Sequence, residues 1–363
     1  MSNSEHGVSR KGKRICLADG ERAFVGADVH RTTYSVAIWS ARRGLIQHWT
    51  QPSDPALLVR RLEPIRAQVE RVVYEAGPTG YALARKLRDA GYIADVIVTS
   101  QMLRTTAAGA KSDRLDCCRL AEHACKDLLK SVQVPTEHQE RERQVLRLRE
   151  RLTRKLRLAR QQIKSFLLVH AIPQPAELTW WSEKGIEALR TLELAVELRF
   201  CLDVLLDEEH HARQQVERLT QEVKKLAIDE RYREKMRCLR SIPGVGLITA
   251  MTFATELVAP ERFENAGEVA RMIGLAPRVQ QSGDRRREGR LMKDGNERLR
   301  TVLVESAWRW VSLDERGRDV YRRLLKNTGD SKKAIGGAAR KLAIIMWRLV
   351  TRLETYRTPV TAA

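Results

Sequence analysis

The sequence predicts an α/β domain followed by a pair of long helices and a small helical domain. Three observations support this. Short apolar runs alternate with helical segments over about the first 130 residues, an order typical of a sheet that gains parallel strands. Apolar residues then recur at spacings of three and four from residue 145 to 166, as in a coiled coil. Beyond residue 236, a turn containing glycines opens a series of helical segments.

Composition and charge limit the function classes. The 363 residues are 43% hydrophobic and 31% charged, with a net charge of +20, which is a globular balance with an excess of basic residues. Such an excess favours a polyanionic partner, nucleic acid first and an anionic membrane surface second. No apolar run is long enough to span a membrane, and the polar, basic N-terminus lacks a secretory signal. We therefore expect no membrane partner and a cytoplasmic, bacterial, nucleoid-associated protein.

The six cysteines form neither a disulfide framework nor a paired CxxC zinc pattern. His123 and Cys125 lie near Cys118, but on one helix they would not converge as metal ligands. Reduced structural cysteines are the expectation.

Residues 1–20 are predicted to be a flexible basic tail and residues 21–135 the α/β domain. The runs AFVGADV, TYSVAIWS and LIQHWT predict a three-strand meander, with Tyr34, Val36 and Ile38 on one side of the second strand. A helix over 54–70, the strand RVVYE, a helix YALARKLRDAGY and the strand IADVIVT follow, and a helix SDRLDCCRLAEHACKDLL ends the domain. The predicted order is β-β-β-α-β-α-β-α.

Residues 136–235 are predicted to be a coiled-coil region. Its seam consists of Val145, Leu148, Leu152, Leu156, Ala159, Ile163 and Phe166. Pro173 and Pro175 end the first helix, and a second helical stretch runs from near Ile186 to about residue 235, so the two most simply form an antiparallel hairpin. A structural spacer is the favoured role, while oligomer contacts or nucleic-acid backbone contacts stay open.

Residues 236–363 are predicted to be a small helical domain. Pro243, Gly244 and Gly246 form a turn before an apolar helix, similar to helix-hairpin-helix modules in which backbone N–H groups approach a phosphate; an ordinary glycine turn is the alternative. Ser282 lies in the stretch QSGDRRREGR, which we interpret as a loop. The residues alone favour an ordinary loop hydroxyl over a nucleophile.

Four carboxylates are candidates for a metal site. Asp28 ends the first strand, Glu75 ends the fourth, and Asp113 and Asp116 lie one helical turn apart. If the first and fourth strands are neighbours, the ends that carry Asp28 and Glu75 lie side by side, and a helix across them brings the other two acids close. Such repulsion is relieved by hard divalent cations, and two Mg²⁺ ions could clamp a phosphodiester.

Each acid also has a structural interpretation. Asp28 could cap a turn, Glu75 could pair with an arginine, and Asp113 could cap its helix. Taken together, on a chain this basic, the four favour phosphodiester chemistry.

Two sets of motifs resemble a known family. VGADVHRTTYSVAI, YEAGPTGYALARKLRDAG and AKSDRLDCCRLAEHA resemble the N-terminal domain of DEDD insertion-sequence transposases. IPGVGLITA and RFENAGEVARMIGLAPRVQQSGDRRREGRLMKDGNERLR resemble their C-terminal transposase domain. The resemblance is to the insertion-sequence one-ten family and extends from about residue 22 to 350. One departure is Cys117, where the family commonly has alanine.

The resemblance implies a RuvC-like (RNase H-like) N-terminal domain and a C-terminal domain with a catalytic serine. By motif, Asp28, Glu75, Asp113 and Asp116 are the catalytic, metal-binding acids and Ser282 is the nucleophile. It also implies Mg²⁺, donor and target DNA, a structured bridge RNA as guide, and dimers that assemble into a tetramer. In that tetramer the acidic site of one subunit meets the serine of another, which becomes a covalent phosphoserine.

The leading hypothesis is an RNA-guided DNA recombinase in which basic residues after the serine bind the nucleic-acid backbone: Arg285, Arg286, Arg287, Arg290 and Lys293. A RuvC-like structure-specific nuclease that uses water, with Ser282 structural, is the first alternative. A non-catalytic nucleic-acid-binding protein with structural acids is the second.

Overall fold

The computed structural model describes residues 15–98, 113–282, 285–291 and 295–357, and gives the backbone alone at 113–114, 278–282, 285–288 and 290. The chain divides into two compact units, residues 1–134 and 135–363. Within the described ranges, no helix has the length and apolar character needed to cross a bilayer.

The first unit contains a six-stranded sheet of order β3-β2-β1-β4-β5-β6. β1, β4 and β5 run parallel, whereas β2, β3 and β6 are antiparallel to their neighbours. The predicted order of strands and helices is confirmed, except that β6 was not predicted, because two residues are too few to show a period. The bounds are β1 (Ala23–Val29), β2 (Thr33–Ser40), β3 (Gly44–Pro52), α1 (Pro55–Leu62), β4 (Val69–Glu75), α2 (Ala82–Asp89), β5 (Ala94–Ile97), α3 (Asp113–Cys125) and β6 (Ser131–Val132).

Helices cover both faces of this sheet. Leu58 of α1 and Leu87 of α2 pack with Val25 and Ala27 on one face, and α3 packs on the other. β2 therefore does not alternate as predicted: Ala37 is as fully buried as the residues on its other side, because a strand covered on both faces needs no polar side.

Two predicted boundaries in this unit are wrong. Ile15, inside the predicted tail, is buried in the main core of the sheet, since an apolar side chain next to that core gains from leaving water. The predicted helix over 54–70 ends at Leu62 and continues as a 3-10 helix, Glu63–Gln68. Pro64 explains the change, because it has no N–H for the next α-helical hydrogen bond.

The second unit begins with a long antiparallel helical pair, α4 (Glu137–Val169) and α6 (Val196–Ile228). Arg149 donates to Thr220 at 2.9 Å, and eleven residues further along α4, Arg160 donates to Glu209 at 2.9 Å. One position rises as the other falls, so the helices run antiparallel, as predicted. A 3-10 helix (Ala176–Trp180) and α5 (Glu183–Arg190) join them and complete a small core at the far end.

The predicted seam is correct in its second half only. Leu156, Ala159 and Ile163 are buried, but Leu148 is 40% exposed and Leu146 is buried instead. The seam rotates because α8 also packs against the first half of α4, where the α8 residue Glu256 forms buried ion pairs with α4 arginines. Tertiary contacts on a second side of a helix override a simple heptad pattern.

One hydrophobic core extends across residue 235, where the sequence predicts a domain boundary. Leu146, Val223 and Ala227 of the helical pair share a cluster with Phe253 and Trp310 of the C-terminal helices. The C-terminal region is not purely helical, because a β-hairpin interrupts it. Its elements are α7 (Glu230–Arg240), α8 (Leu247–Leu257), α9 (Ala266–Ile273), β7 (Pro277–Ser282), β8 (Arg285–Leu291), α10 (Glu297–Leu313), α11 (Glu315–Thr328) and α12 (Ser331–Arg352).

Candidate active site

The sheet register sets Asp28 beside Glu75. Ala27 pairs with Tyr74 between the parallel strands β1 and β4, and one residue further along each strand are Asp28 and Glu75. Strand side chains alternate between faces, and Phe24 and Val73 both pack toward α3. Because Asp28 is four residues after Phe24 and Glu75 two after Val73, both carboxylates lie on the α3 face at the carboxyl ends of their strands.

α3 crosses β1 at Gly26, two residues before Asp28. A Cβ on Gly26 would lie 2.2 Å from the Cys117 carbonyl oxygen and 2.5 Å from the Ala121 nitrogen, so helix and strand backbones are in direct contact. Burial raises the pKa of the Cys117 thiol to about 12, with smaller contributions from Cys118 and Asp28. The start of α3, including Asp116, therefore lies at the Asp28 end of the strand. Cys117 is fully buried, as expected for a small packing residue.

His30 belongs to this region and was not predicted. Its Nε2 lies 3.1 Å from Asp28 Oδ2, and the Asp28 side chain is only 16% exposed. Histidines that hold a carboxylate in place can orient it for another ligand. The signal in the sequence was the spacing of two, which in extended backbone puts both side chains on one face.

The donor types fit a hard divalent cation, since carboxylate oxygens are the ligands Mg²⁺ uses. Among the described side chains, however, no three His, Cys, Asp or Glu residues are grouped so that they could hold a metal ion. Asp28, Glu75 and Asp116 therefore do not converge on one point by themselves. The structure gives Asp113 by its backbone alone, at the first position of α3.

Gly26 offers a test that changes none of the acids. In Gly26→Ala the new methyl group would overlap two backbone groups of α3, so we expect the helix to shift, with a loss of about 1–3 kcal/mol of stability and weaker DNA cleavage. Thermal unfolding and a cleavage assay measure the two effects. Gly336→Ala is the matched control, because the nearest atom to its Cβ is 4.0 Å away. Wild-type stability and activity in Gly26→Ala would contradict the close approach.

Ser282 ends β7 of a β-hairpin, which corrects the predicted loop. Ser282 pairs with Arg285 of β8, and Gln281 and Gln280 pair with Arg286 and Arg287. A glycine followed by aspartate, as between these strands in the sequence, is typical of two-residue hairpin connections, and this signal was available. Arg290 also lies on β8, and Lys293 lies outside the described residues.

The base of this hairpin is held by close backbone contacts. A Cβ on Gly295 would lie 2.1 Å from the nitrogen of Gly274, which ends α9 in the left-handed region at φ 76°. The Asn296 N–H donates to the Met272 carbonyl at 2.8 Å, and the Asn296 side chain accepts from the Leu299 N–H at the start of α10. The segments before β7 and after β8 are therefore fixed against each other.

A buried carboxylate extends this base to α4. Glu256 of α8, 2% exposed, accepts from Arg143, Arg147 and Asn296 at 2.8–3.0 Å. Burial alone would raise the pKa of Glu256, but the hydrogen bonds and charges of these partners lower it to about 2. A charged Glu256 thus connects the long helical pair to the residue that follows the serine hairpin.

The turn at Gly244 has a packing explanation. Its φ is 87°, and a Cβ there would lie 2.7 Å from the Trp310 nitrogen of α10. Gly246, by contrast, has no atom within 4 Å of the same construction. Gly244 is therefore required by contact with α10, and only Gly246 has the open space that the predicted phosphate approach needs.

Comparisons with known proteins agree with these two parts of the chain. A DEDD transposase model of the IS110 group matches residues 25–172, which include the sheet, and a model described as "Transposase IS116/IS110/IS902 family" matches residues 236–322, which include the hairpin.

Similar proteins extend the match over most of the chain. A protein named as a transposase, y4qE of Sinorhizobium fredii, is 31% identical over 93% of this chain and 81% of its own length. The transposase for insertion sequence element IS1111A of Coxiella burnetii is 26% identical over 72% of each chain. The transposase for IS1533 of Leptospira borgpetersenii is 26% identical over 79% of this chain and 85% of its own. The protein belongs to the IS110 family of insertion-sequence transposases.

Proposed function

We propose that this transposase moves its own element by cutting and rejoining DNA, with Ser282 as nucleophile and a divalent ion, Mg²⁺, held by Asp28, Glu75, Asp113 and Asp116. The observation that supports it best is the register of β1 and β4, which sets Asp28 beside Glu75 on the face crossed by α3. Two carboxylates at adjacent strand ends are arranged for metal-assisted phosphodiester chemistry, not for core packing.

The N-terminal unit supports a RuvC-like assignment. An antiparallel meander β3-β2-β1 continues into the parallel strands β4 and β5, and the candidate acids lie on the central strands and on the helix that crosses them. In this arrangement Asp28 and Glu75 would bind the ion, and His30 would hold the second oxygen of Asp28 in place. When bound, Mg²⁺ supplies positive charge to the phosphate and lowers the pKa of a coordinated hydroxyl.

The serine step conserves the energy of the phosphodiester. The Ser282 hydroxyl loses its proton as its Oγ bonds to phosphorus, and the bond from phosphorus to one deoxyribose oxygen breaks. That oxygen leaves as a hydroxyl after accepting a proton. Attack by the hydroxyl of another strand on the phosphoserine then restores the serine and joins the strands, so no high-energy cofactor is consumed. Arginines beside the serine on β8 would neutralise the phosphate charge.

We further propose a structured bridge RNA as guide and a tetramer built from dimers, in which the acids of one subunit act with the serine of another. Membership of the family and a net charge of +20 support a large polyanionic partner. RNA extracted from the protein purified out of its host, if it maps to the DNA flanking the gene, is the test of guidance. Random RNA in that fraction would contradict it.

Ser282→Ala is the test of the nucleophile. On a suicide DNA substrate, whose cut end cannot be rejoined, wild-type protein is expected to accumulate a covalent protein–DNA adduct visible on a denaturing gel. Ser282→Ala should form none, because it has no Oγ to bond to phosphorus. The control is Ser312→Ala, an exposed serine at the end of α10. Adduct formation by Ser282→Ala would exclude the mechanism, and cut DNA without adduct in the wild type would favour a nuclease that uses water.

A further inference from the structure

The C-terminal end of the chain forms a groove that neither the serine hairpin nor the acids explain. A hollow of about 300 Å³ lies between the start of α11, the end of α12 and the tail that follows. A second hollow, of about 530 Å³, adjoins it and shares Arg348 and Arg352. Together they define the "arginine groove", whose basic residues are Arg316, Arg348, Arg352 and Arg357.

This groove is strongly positive. Its first hollow is lined by four guanidinium groups and one carboxylate, that of Glu354. All four arginines are exposed, and within the described ranges none of them forms an ion pair, whereas nearby Arg237 and Arg322 each pair with an acid in their own helix. Four like charges kept together without partners are unfavourable in the isolated protein, which indicates an anionic ligand.

The wall of the groove is already in place without a ligand. The Tyr356 hydroxyl donates to Asp314 at 2.9 Å, and the Tyr356 N–H donates to the Ser241 hydroxyl at 2.8 Å. The Glu354 N–H donates to the Leu349 carbonyl at 3.1 Å. The tail that bears Arg357 is thus tied to three separate elements, so binding requires little ordering of the backbone.

We propose that the arginine groove binds the phosphodiester backbone of a nucleic acid, at a site separate from the arginines beside Ser282. Every cation lining the first hollow is an arginine, whose planar donors bind phosphate oxygens in pairs, as lysine cannot. The shared Arg348 and Arg352 make the positive surface continuous over two hollows, which suits an extended polyanion better than a single phosphate. The proposal rests on the proposed function for its partner class, and its test is binding, not catalysis.

The test is the salt dependence of binding. We compare Arg348→Gln/Arg352→Gln/Arg357→Gln with wild type, both in the Ser282→Ala background, by fluorescence anisotropy on a labelled 30-base-pair DNA. Each lost phosphate contact should reduce the slope of log K against log salt by about 0.9 on duplex DNA and about 0.7 on single strands. We expect a slope reduced by about two to three, with binding weakened alike for different sequences.

Two controls separate charge from folding. Arg141→Gln/Arg190→Gln/Lys225→Gln removes the same charge at exposed positions that pair with acids in their own helices, and should change the slope by less than one. The Arg348→Lys/Arg352→Lys/Arg357→Lys variant keeps the charge and should keep most of the slope. An equal loss in the glutamine variant and its control, or the same loss in the lysine variant, would overturn the proposal.

Three probes of the same sequence identify the source of the phosphates: duplex DNA, single-stranded DNA and RNA. The probe whose slope falls most in the glutamine variant is the natural ligand class, and no fall on any probe overturns the proposal. Failure of the serine mechanism would appear separately, as an adduct formed by Ser282→Ala while the slope loss persists.

Discussion

Asparagine in place of Asp28 is expected to abolish DNA strand cleavage while nucleic-acid binding and the fold are retained. The amide has the same shape as the carboxylate, so β1 keeps its register, but it lacks the charge that attracts a divalent ion. Residues that only support metal ligands cost about 10–100-fold when removed, so loss of a ligand should exceed 100-fold. A gel assay at several Mg²⁺ concentrations, beside anisotropy and thermal unfolding, measures all three properties.

Two further variants make this result specific. Asp89→Asn changes an exposed carboxylate at the end of α2 and should have wild-type activity. His30→Ala removes only the contact to Asp28 Oδ2 and should give an intermediate loss that higher Mg²⁺ partly restores. Full cleavage by both Asp28→Asn and Glu75→Gln would return both acids to structural roles. If mixed Asp28→Asn and Ser282→Ala chains regain exchange, the site is shared between subunits.

Alanine in place of Glu256 is expected to cost about 3–5 kcal/mol of stability, because it leaves Arg143 and Arg147 as charges without a partner in a buried region. The Asn296 amide at the base of the serine hairpin also loses its acceptor, so the hairpin should loosen before the whole unit unfolds. Denaturant unfolding measures the first effect. Hydrogen exchange of the 296–300 amides measures the second.

The pH dependence of this network has a definite sign. The pKa of Glu256 is about 2, below its ordinary value of 4.5, so its contribution is complete above pH 4.5 and is lost as the pH falls toward 2. Wild type should therefore lose about 3 kcal/mol more than Glu256→Gln over that interval. Glu261→Ala, exposed on the following 3-10 helix, is the control and should stay within about 0.5 kcal/mol. A parallel loss in wild type and Glu256→Gln would show that the ion pairs contribute nothing.

The sequence was most informative where periodicity and punctuation agree. The strands around Asp28 and Glu75 are continuous apolar runs bounded by turns, and Pro173 and Pro175 mark the end of the first long helix. Their order was enough to expect neighbouring acids at adjacent strand ends. The role of Ser282 could not be found in this way, because a serine beside arginines is common on protein surfaces. Only the family resemblance singled it out, and it stays a prediction.

What the sequence could not show depends on contacts between distant segments. Arg143 and Glu256 are 113 residues apart, and neither stands out among neighbouring charges. Leu146 replaces Leu148 in the interior only because α8 approaches α4 from the side. Gly274 and Gly295 look like ordinary turn residues until their backbones are seen in contact. Such features come from the three-dimensional fold, and a pattern read along one segment does not contain them.

The long helical pair also sets a length scale. Each of its helices has 33 residues, which at 1.5 Å per residue is about 50 Å, or about 15 base pairs of duplex at 3.4 Å per step. Its far end has its own small core, with Ile163, Leu178 and Leu206, so this end does not depend on the C-terminal core for packing. The pair can therefore act as a molecular ruler whose reach is fixed by helix length, and deleting whole turns from both helices would shorten that reach in steps of about 5 Å.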